Sequence, residues 1–188
     1  MHLDNYKSLK DEEIISIILQ EHKTELFEIL YQRYSRKVLD KCYTLLKHRE
    51  LAEESRQNIF EKTYEKLNTF KGTASFLSWL YSITYNYCID YLRNKNKLHY
   101  PEWNSNHEIP EIIEESQDDQ EEINYERLVK ILEMIHPEEK ALLLMKYSDN
   151  LSIQQIGQAL RISESATKMR IKRAKARVLF IYKEIYKD

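Results

Sequence analysis

The stretch Phe70–Lys97, FKGTASFLSWLYSITYNYCIDYLRNKNK, carries seven aromatic residues, opens around one of only two glycines in the chain and closes on a basic tail. Read at helical spacing from Ser75, it aligns Phe76, Leu80, Ile83, Tyr87 and Tyr91, a stripe that predicts a buried helix face. Trp79, Tyr81 and Tyr85 fall partly off that stripe, and Asn86, Asp90 and Arg93 recur from Trp79 at +7, +11 and +14. One helix thus offers two faces, one for a core and one amphipathic. Ahead of it stands Gly72, and in so glycine-poor a chain it predicts a backbone conformation or a close approach that a side chain would forbid.

The rest of the chain also reads as helix. Two glycines and three prolines in 188 residues leave few breakers, which predicts long helices joined by short turns and an all-α fold. Ser8 followed by Asp11 resembles a capping box ahead of DEEIISIILQ, where Ile14, Ile17 and Ile18 share a face. From Thr24, TELFEILYQRYSRKVLDKCYTLL predicts a single helix with Leu26, Phe27, Leu30, Tyr34, Val38 and Leu45 at near-helical spacing. A third helix, ELAEESRQNIFEKTYEKL, turns Ala52, Ile59, Phe60, Thr63 and Leu67 inward and Glu53, Glu54, Gln57 and Glu61 outward.

Past the opening stretch the composition changes. Between Glu102 and Glu126 there are ten acids and no Lys or Arg, with Pro110 and a polar ESQDDQEE among them, which predicts a linker. Beyond it the pattern predicts four helices, broken at His136-Pro137, Asp149-Asn150 and Arg161-Ile162. The expected organisation is therefore a first helical domain over 1–98, an acidic flexible linker over 99–126 and a second, smaller domain over 127–188. The net charge of −2 averages over this segregation and says little about partners.

Several function classes find no support. There is no glycine-rich phosphate loop and no HExxH, and the histidines at 2, 22, 48, 99, 107 and 136 lack ligand spacing, so neither an enzyme nor a metal or other cofactor is expected. Cys42 and Cys88 form no CxxC and read as two buried thiols in a reducing cytosol. No apolar run approaches the roughly 18 residues of a membrane span. The first residues, MHLDNYKSLKDEEII, lack the apolar core of a signal peptide, so the expected location is the cytoplasm, with no membrane partner.

Two segments point to nucleic acid. LSIQQIGQALRISESATKMRIKRAKARVL has the form of a helix-turn-helix, with a tight turn around Arg161–Ser163. On its second helix Thr167, Ile171, Ala174 and Val178 share a stripe that should face the domain core. Lys168, Met169, Arg170, Lys172, Arg173 and Lys175 form the candidate duplex-contacting set, and seven basic residues against one acid between Arg161 and Arg177 suit phosphate neutralisation. In the opening stretch, aromatics beside basic residues can stack unpaired bases, at about 1–3 kcal/mol each. The Lys71–Ser75 loop, with the hydroxyls of Thr73 and Ser75, can receive a flipped base.

These residues carry a resemblance. Residues 26 to 97, with the specific pattern SWLYSITYNYCIDYLR, are similar to the promoter-melting domain of bacterial RNA polymerase sigma factors of the sigma-70 family, extracytoplasmic-function subgroup, and residues 127 to 183 are similar to that family's helix-turn-helix domain. The resemblance implies a transcription initiation factor that binds core RNA polymerase through the clamp of the largest subunit and the flap of the second largest. It implies clamp contacts from Glu53, Glu54, Gln57, Phe60 and Glu61. It assigns Lys71, Gly72, Thr73, Ser75, Trp79, Asn86, Arg93, Lys95 and Lys97 to promoter DNA near minus ten, including a flipped base. Lys168, Met169, Arg170, Lys172, Arg173 and Lys175 would read the element near minus thirty-five, and the acidic linker would thread toward the RNA exit path. An anti-sigma protein is a further implied partner.

The chain departs from the family pattern at specific places. The clamp helix has Asn58 where an acid usually follows the Gln, and Arg56 before it. In the helix-turn-helix, Gln154, Gln155 and Gly157 replace an acidic pair and an alanine, Arg161 stands where a turn glycine is common, and Met169 occupies a position often small and polar. These departures predict altered or weakened reading by the second domain and a role for a separate DNA-targeting partner. The rival reading is a helix-turn-helix regulator acting on duplex DNA without polymerase, for which the loop and aromatic helix would be superfluous.

Overall fold

A computed structural model describes residues 3–96 and 124–186. Among them are eight α-helices and no strand. The chain divides into two compact units, Met1–Asn94 and Lys95–Asp188. Lys97 and residues 99–123 of the expected linker lie outside the described residues.

The first unit contains α1 (Asp11–Glu21), α2 (Phe27–Leu46), α3 (Arg49–Glu65) and α4 (Phe76–Asn96). The expected Ser8–Asp11 box is not what starts α1: the Glu13 carboxylate accepts the Lys10 amide N–H at 2.7 Å. Asp11 is committed elsewhere, since Arg33 and Tyr34 of α2 both donate to its carboxylate. Arg33 also donates to the carbonyls of Lys7 and Leu9 at 2.8 and 2.7 Å, fastening the N-terminal segment to α2. A 3-10 turn over Thr24–Leu26 precedes α2, so the regular helix starts at Phe27 rather than Thr24. α2 lies along α3, and the core between them takes Leu30, Val38 and Cys42 from one side and Ala52, Ile59 and Phe60 from the other.

On α4 the buried stripe is Phe76, Leu80, Tyr81, Thr84, Tyr85, Cys88 and Ile89, while Ile83, Tyr87 and Tyr91 are half-buried. The expected stripe is therefore correct at its start and rotated beyond it. The reason is that α4 carries apolar or aromatic residues around most of its circumference, so spacing alone allows several stripes, and the flanking helices choose. Cys42 and Cys88 are free and buried with their sulfurs 3.8 Å apart. Their mutual hydrogen bond and burial hold the Cys88 thiol well above the ordinary thiol range, which keeps it unreactive.

The second unit contains α5 (Tyr125–Leu132), α6 (Pro137–Leu143), α7 (Ile153–Leu160) and α8 (Glu164–Ile185), with a wider turn of π geometry over Leu144–Ser148 after α6. α5 starts inside the expected linker because Asn124 caps it, its Oδ1 accepting the N–H groups of Glu126 and Arg127 at 2.9 and 3.3 Å. The break at His136-Pro137 is a cap too: His136 Nδ1 accepts the Glu138 N–H at 3.2 Å, and Pro137 occupies the first helical position, where its missing N–H costs nothing. Ile131, Ile135, Leu143, Ala174, Val178 and Tyr182 form the core, packed by Leu128, Leu132, Ile181 and Tyr186.

Candidate nucleic-acid interface

In the first unit the loop before α4 is built by Gly72 and Ser75. Gly72 has φ +67°, and a Cβ added to it would meet nothing within 4 Å, so its backbone conformation, and not a close approach, demands glycine. Ser75 is the N-cap of α4: its Oγ accepts the Ser78 N–H at 3.2 Å and lies 2.9 Å from the Ser78 hydroxyl. Lys71, Gly72, Thr73 and Ser75 are all exposed. Behind them, Phe70, Phe76 and Trp79 meet at ring separations of 5.4 to 5.8 Å, with Tyr34 of α2 against Phe76 at 5.7 Å. Trp79, packed against Phe70 and Phe76, is half-buried.

Trp79, Asn86, Asp90 and Arg93 lie on the side of α4 opposite the buried stripe and are each half-buried. This is the grouping expected from their spacing. Arg93 is 3.6 Å from Asp90 one turn earlier, so its guanidinium is held along the helix rather than extended. Lys95 is exposed near the end of α4. On α3, Glu53, Glu54, Gln57 and Glu61 are exposed on one face, whereas Phe60 is 3 % exposed, with Phe27 and Tyr31 packed edge-on against it at 6.3 and 4.7 Å. Phe60 therefore supports that face from beneath and is not displayed on it.

In the second unit the expected turn closes through two unusual residues. Arg161 ends α7 with φ 57°, a left-handed conformation that costs a non-glycine residue about 1 kcal/mol. A Cβ on Gly157 would stand 2.9 Å from the Ile162 carbonyl oxygen and 3.1 Å from Thr167 Oγ1. Glycine at 157 is what lets α7 approach α8 so closely. Gln155 performs the work of an acid at its position, accepting the Ser152 N–H at 2.8 Å while Ser152 Oγ accepts the Gln155 N–H at 3.2 Å. Ser163 caps α8 by accepting the Ala166 N–H at 3.2 Å.

The predicted core stripe of α8, Thr167, Ile171, Ala174 and Val178, is buried and extends to Tyr182. Around it the basic residues are sorted by type. Lys168, Lys172 and Lys175 are exposed with Met169 beside them, a face that can reach phosphates and offer apolar contact to a thymine methyl. Arg170 and Arg177 instead turn to α6. Arg170 donates to Glu138, which is 1 % exposed, at 2.5 Å. Arg177 Nε lies 3.1 Å from an oxygen of the buried Glu139 carboxyl, a second ion pair to α6. Arg173, half-buried between them, has its Nε buried without a partner. Arg170, a member of the expected duplex-contacting set, is thus tied to α6 through Glu138. The planar guanidinium suits such buried pairing better than an ammonium does. The sequence signal for this tie was PEEK at the start of α6, two acids placed where they also favour a helix N-terminus.

Among the described residues no group of His, Cys, Asp and Glu could hold a metal ion, and no helix is long and apolar enough to cross a membrane.

With this geometry in place, comparison with known proteins is informative. Residues 30–98 match the family Sigma-70 region 2 and residues 125–178 the family Sigma-70, region 4. The chain is similar to the ECF RNA polymerase sigma factor SigX of Bacillus subtilis, 22% identical with 77% of each chain covered. It is also similar to the RNA polymerase sigma factor YlaC of the same organism, 27% identical over 79% of this chain and 87% of that one. Among solved structures, the fold resembles the sigma factor RpoE in its complex with the anti-sigma factor NepR from Bartonella quintana, with a TM-score of 0.57 and 15% identity over 84% and 96% of the two chains. It likewise resembles CnrH in complex with the cytosolic domain of CnrY, with a TM-score of 0.58 and 15% identity over 91% and 96%.

Proposed function

The chain belongs to the sigma-70 family, in the extracytoplasmic-function subgroup of RNA polymerase sigma factors, and from that premise we propose how its residues divide the work of transcription initiation. As a sigma factor it binds core RNA polymerase and promoter DNA. The exposed face of α3, with Glu53, Glu54, Gln57 and Glu61, is the surface for the polymerase clamp. The Lys71–Ser75 loop and the Trp79–Asn86–Arg93 face of α4, together with Lys95 and Lys97, open the minus-ten region and hold one strand. Lys168, Met169, Lys172 and Lys175 of α8 meet duplex DNA near minus thirty-five, with Arg173 at the margin of that face. The second unit also offers a surface for the polymerase flap. The chain supplies no catalytic group, the polymerase does the chemistry, and the site of action is the cytoplasm.

One observation carries this reading: α4 buries one stripe and leaves Trp79, Asn86 and Arg93 together on the other side, next to an exposed loop whose glycine adopts positive φ. Duplex recognition by a helix-turn-helix needs none of that. Run-off transcription with purified core polymerase is the test. Transcripts that depend on the added protein, and that fall sharply with Asn86→Ala while polymerase binding persists, support the reading. Tight duplex binding with no polymerase association would make the protein a free-standing regulator. RpoE is described in complex with the anti-sigma factor NepR, and CnrH in complex with the cytosolic domain of CnrY, and we infer an anti-sigma partner for this chain as well. The strained Arg161 turn and the diversion of Arg170 to Glu138 favour weakened reading near minus thirty-five, assisted by a DNA-targeting partner. Strong protection of that element by polymerase and this protein alone would overturn that part.

A further inference from the structure

Asn58 follows Gln57 on α3 and stands one turn after Glu54, at the border of the exposed face, with its side chain reaching α4. It is half-buried, and its Nδ2 donates to the Tyr87 hydroxyl of α4 at 2.9 Å. Lys62, one turn along α3, places its ammonium 4.8 Å from the centre of the same ring. On the other flank of α4, Tyr85 is fully buried and Tyr81 nearly so, with Lys41 of α2 at 6.0 and 5.2 Å from their rings. Successive helical residues stand about 100° apart around the axis, so Tyr85 and Tyr87 bracket Asn86 and fix the direction in which it points. Tyr85 is locked by burial. Half-buried Tyr87 is held by groups that both come from α3.

We propose that Asn58 is a positioning residue that acts through Tyr87 to set the rotation of α4 and aim Asn86 at the DNA strand, coupling the polymerase-facing helix to strand capture. The uncharged amide makes this contact as a donor to the phenol oxygen. This inference rests on the initiation reading above.

The test is a double-mutant cycle in reconstituted holoenzyme with wild type, Asn58→Ala, Tyr87→Phe and the double variant. The template is one selected from a randomised promoter library by the wild-type holoenzyme. Strand opening is followed by permanganate reactivity of unpaired thymines, and core affinity by a separate titration. Each single variant is expected to slow opening about three- to tenfold, the double variant no more than the worse single, and core affinity to stay within about twofold, as for loss of one shared hydrogen bond. Losses that multiply in the double variant, or core affinity falling in step with opening, overturn the coupling. A wild-type protein that selects no template overturns the initiation reading itself.

Discussion

Gly72 and Gly157 are the only glycines in the chain, and they are needed for opposite reasons. At Gly72 the backbone is left-handed and the space is open, so Gly72→Ala should cost about 1 kcal/mol in strain. Gly157 has an ordinary conformation but no room, with the Ile162 carbonyl only 2.9 Å from where a Cβ would be. Gly157→Ala should therefore destabilise by about 1–3 kcal/mol, since backbone must shift to admit it. Arg161→Gly removes left-handed strain and should raise stability by up to about 1 kcal/mol, after allowing for the added freedom of the unfolded chain. Thermal melts of the three variants rank these effects, and an order with Gly72→Ala worst would contradict the geometry. The need for glycine at 72 was legible from its rarity in the sequence, though not which of its two causes applied. At 157 nothing in the local pattern announced a contact that forms only when α7 and α8 cross.

At the scale of elements, α8 divides its basic residues between two tasks. Arg170 and Arg177 hold α6, and Lys168, Lys172 and Lys175 face outward. Glu138→Ala should therefore cost roughly 3 kcal/mol by leaving Arg170 partly buried without its partner. Lys172→Ala should leave stability nearly unchanged while lowering the salt dependence of DNA binding by about one unit of slope. Urea melts and a salt titration separate the two, and a fold defect in Lys172→Ala would refute the division. Glu139 adds a pH dependence. Burial raises its carboxyl above the usual 4.5, against the opposing pull of Arg177. The folded unit thus keeps this proton to higher pH than the unfolded chain does. Its contribution to stability is full below the unfolded value and is lost as pH rises through the folded one. Glu139→Gln should flatten that part of the stability curve on the alkaline side of the usual carboxylate range, and an unchanged curve would mean the carboxyl titrates normally. The basic register of α8 was legible because a period of 3.6 separates core from surface. The division between arginine and lysine was not, because it depends on Glu138 and Glu139 arriving from another helix.

For the whole molecule, the family and both regions follow from two matched segments that together span most of the described residues. The functional consequence is a protein that works only in company. Isolated protein should bind promoter duplex weakly and with steep salt dependence, and addition of core polymerase should be required for strand opening. Gel-shift and permanganate footprints, with and without core, check this, and opening by the protein alone would contradict it.

By itself the amino-acid sequence determined the all-helical class, the helix-turn-helix, the acidic interval between two helical regions and the alignment of Trp79, Asn86 and Arg93. All of these depend on local propensity and on the spacing of residues along one helix. Only the tertiary structure decided which aromatic face of α4 is buried, that Phe60 lies under the α3 surface, that Arg170 is an internal tie, and that Asn58 reaches Tyr87. Each of those depends on a group brought from a distant part of the chain, and a helix with apolar residues on most sides has no single inward face until its neighbours pack against it.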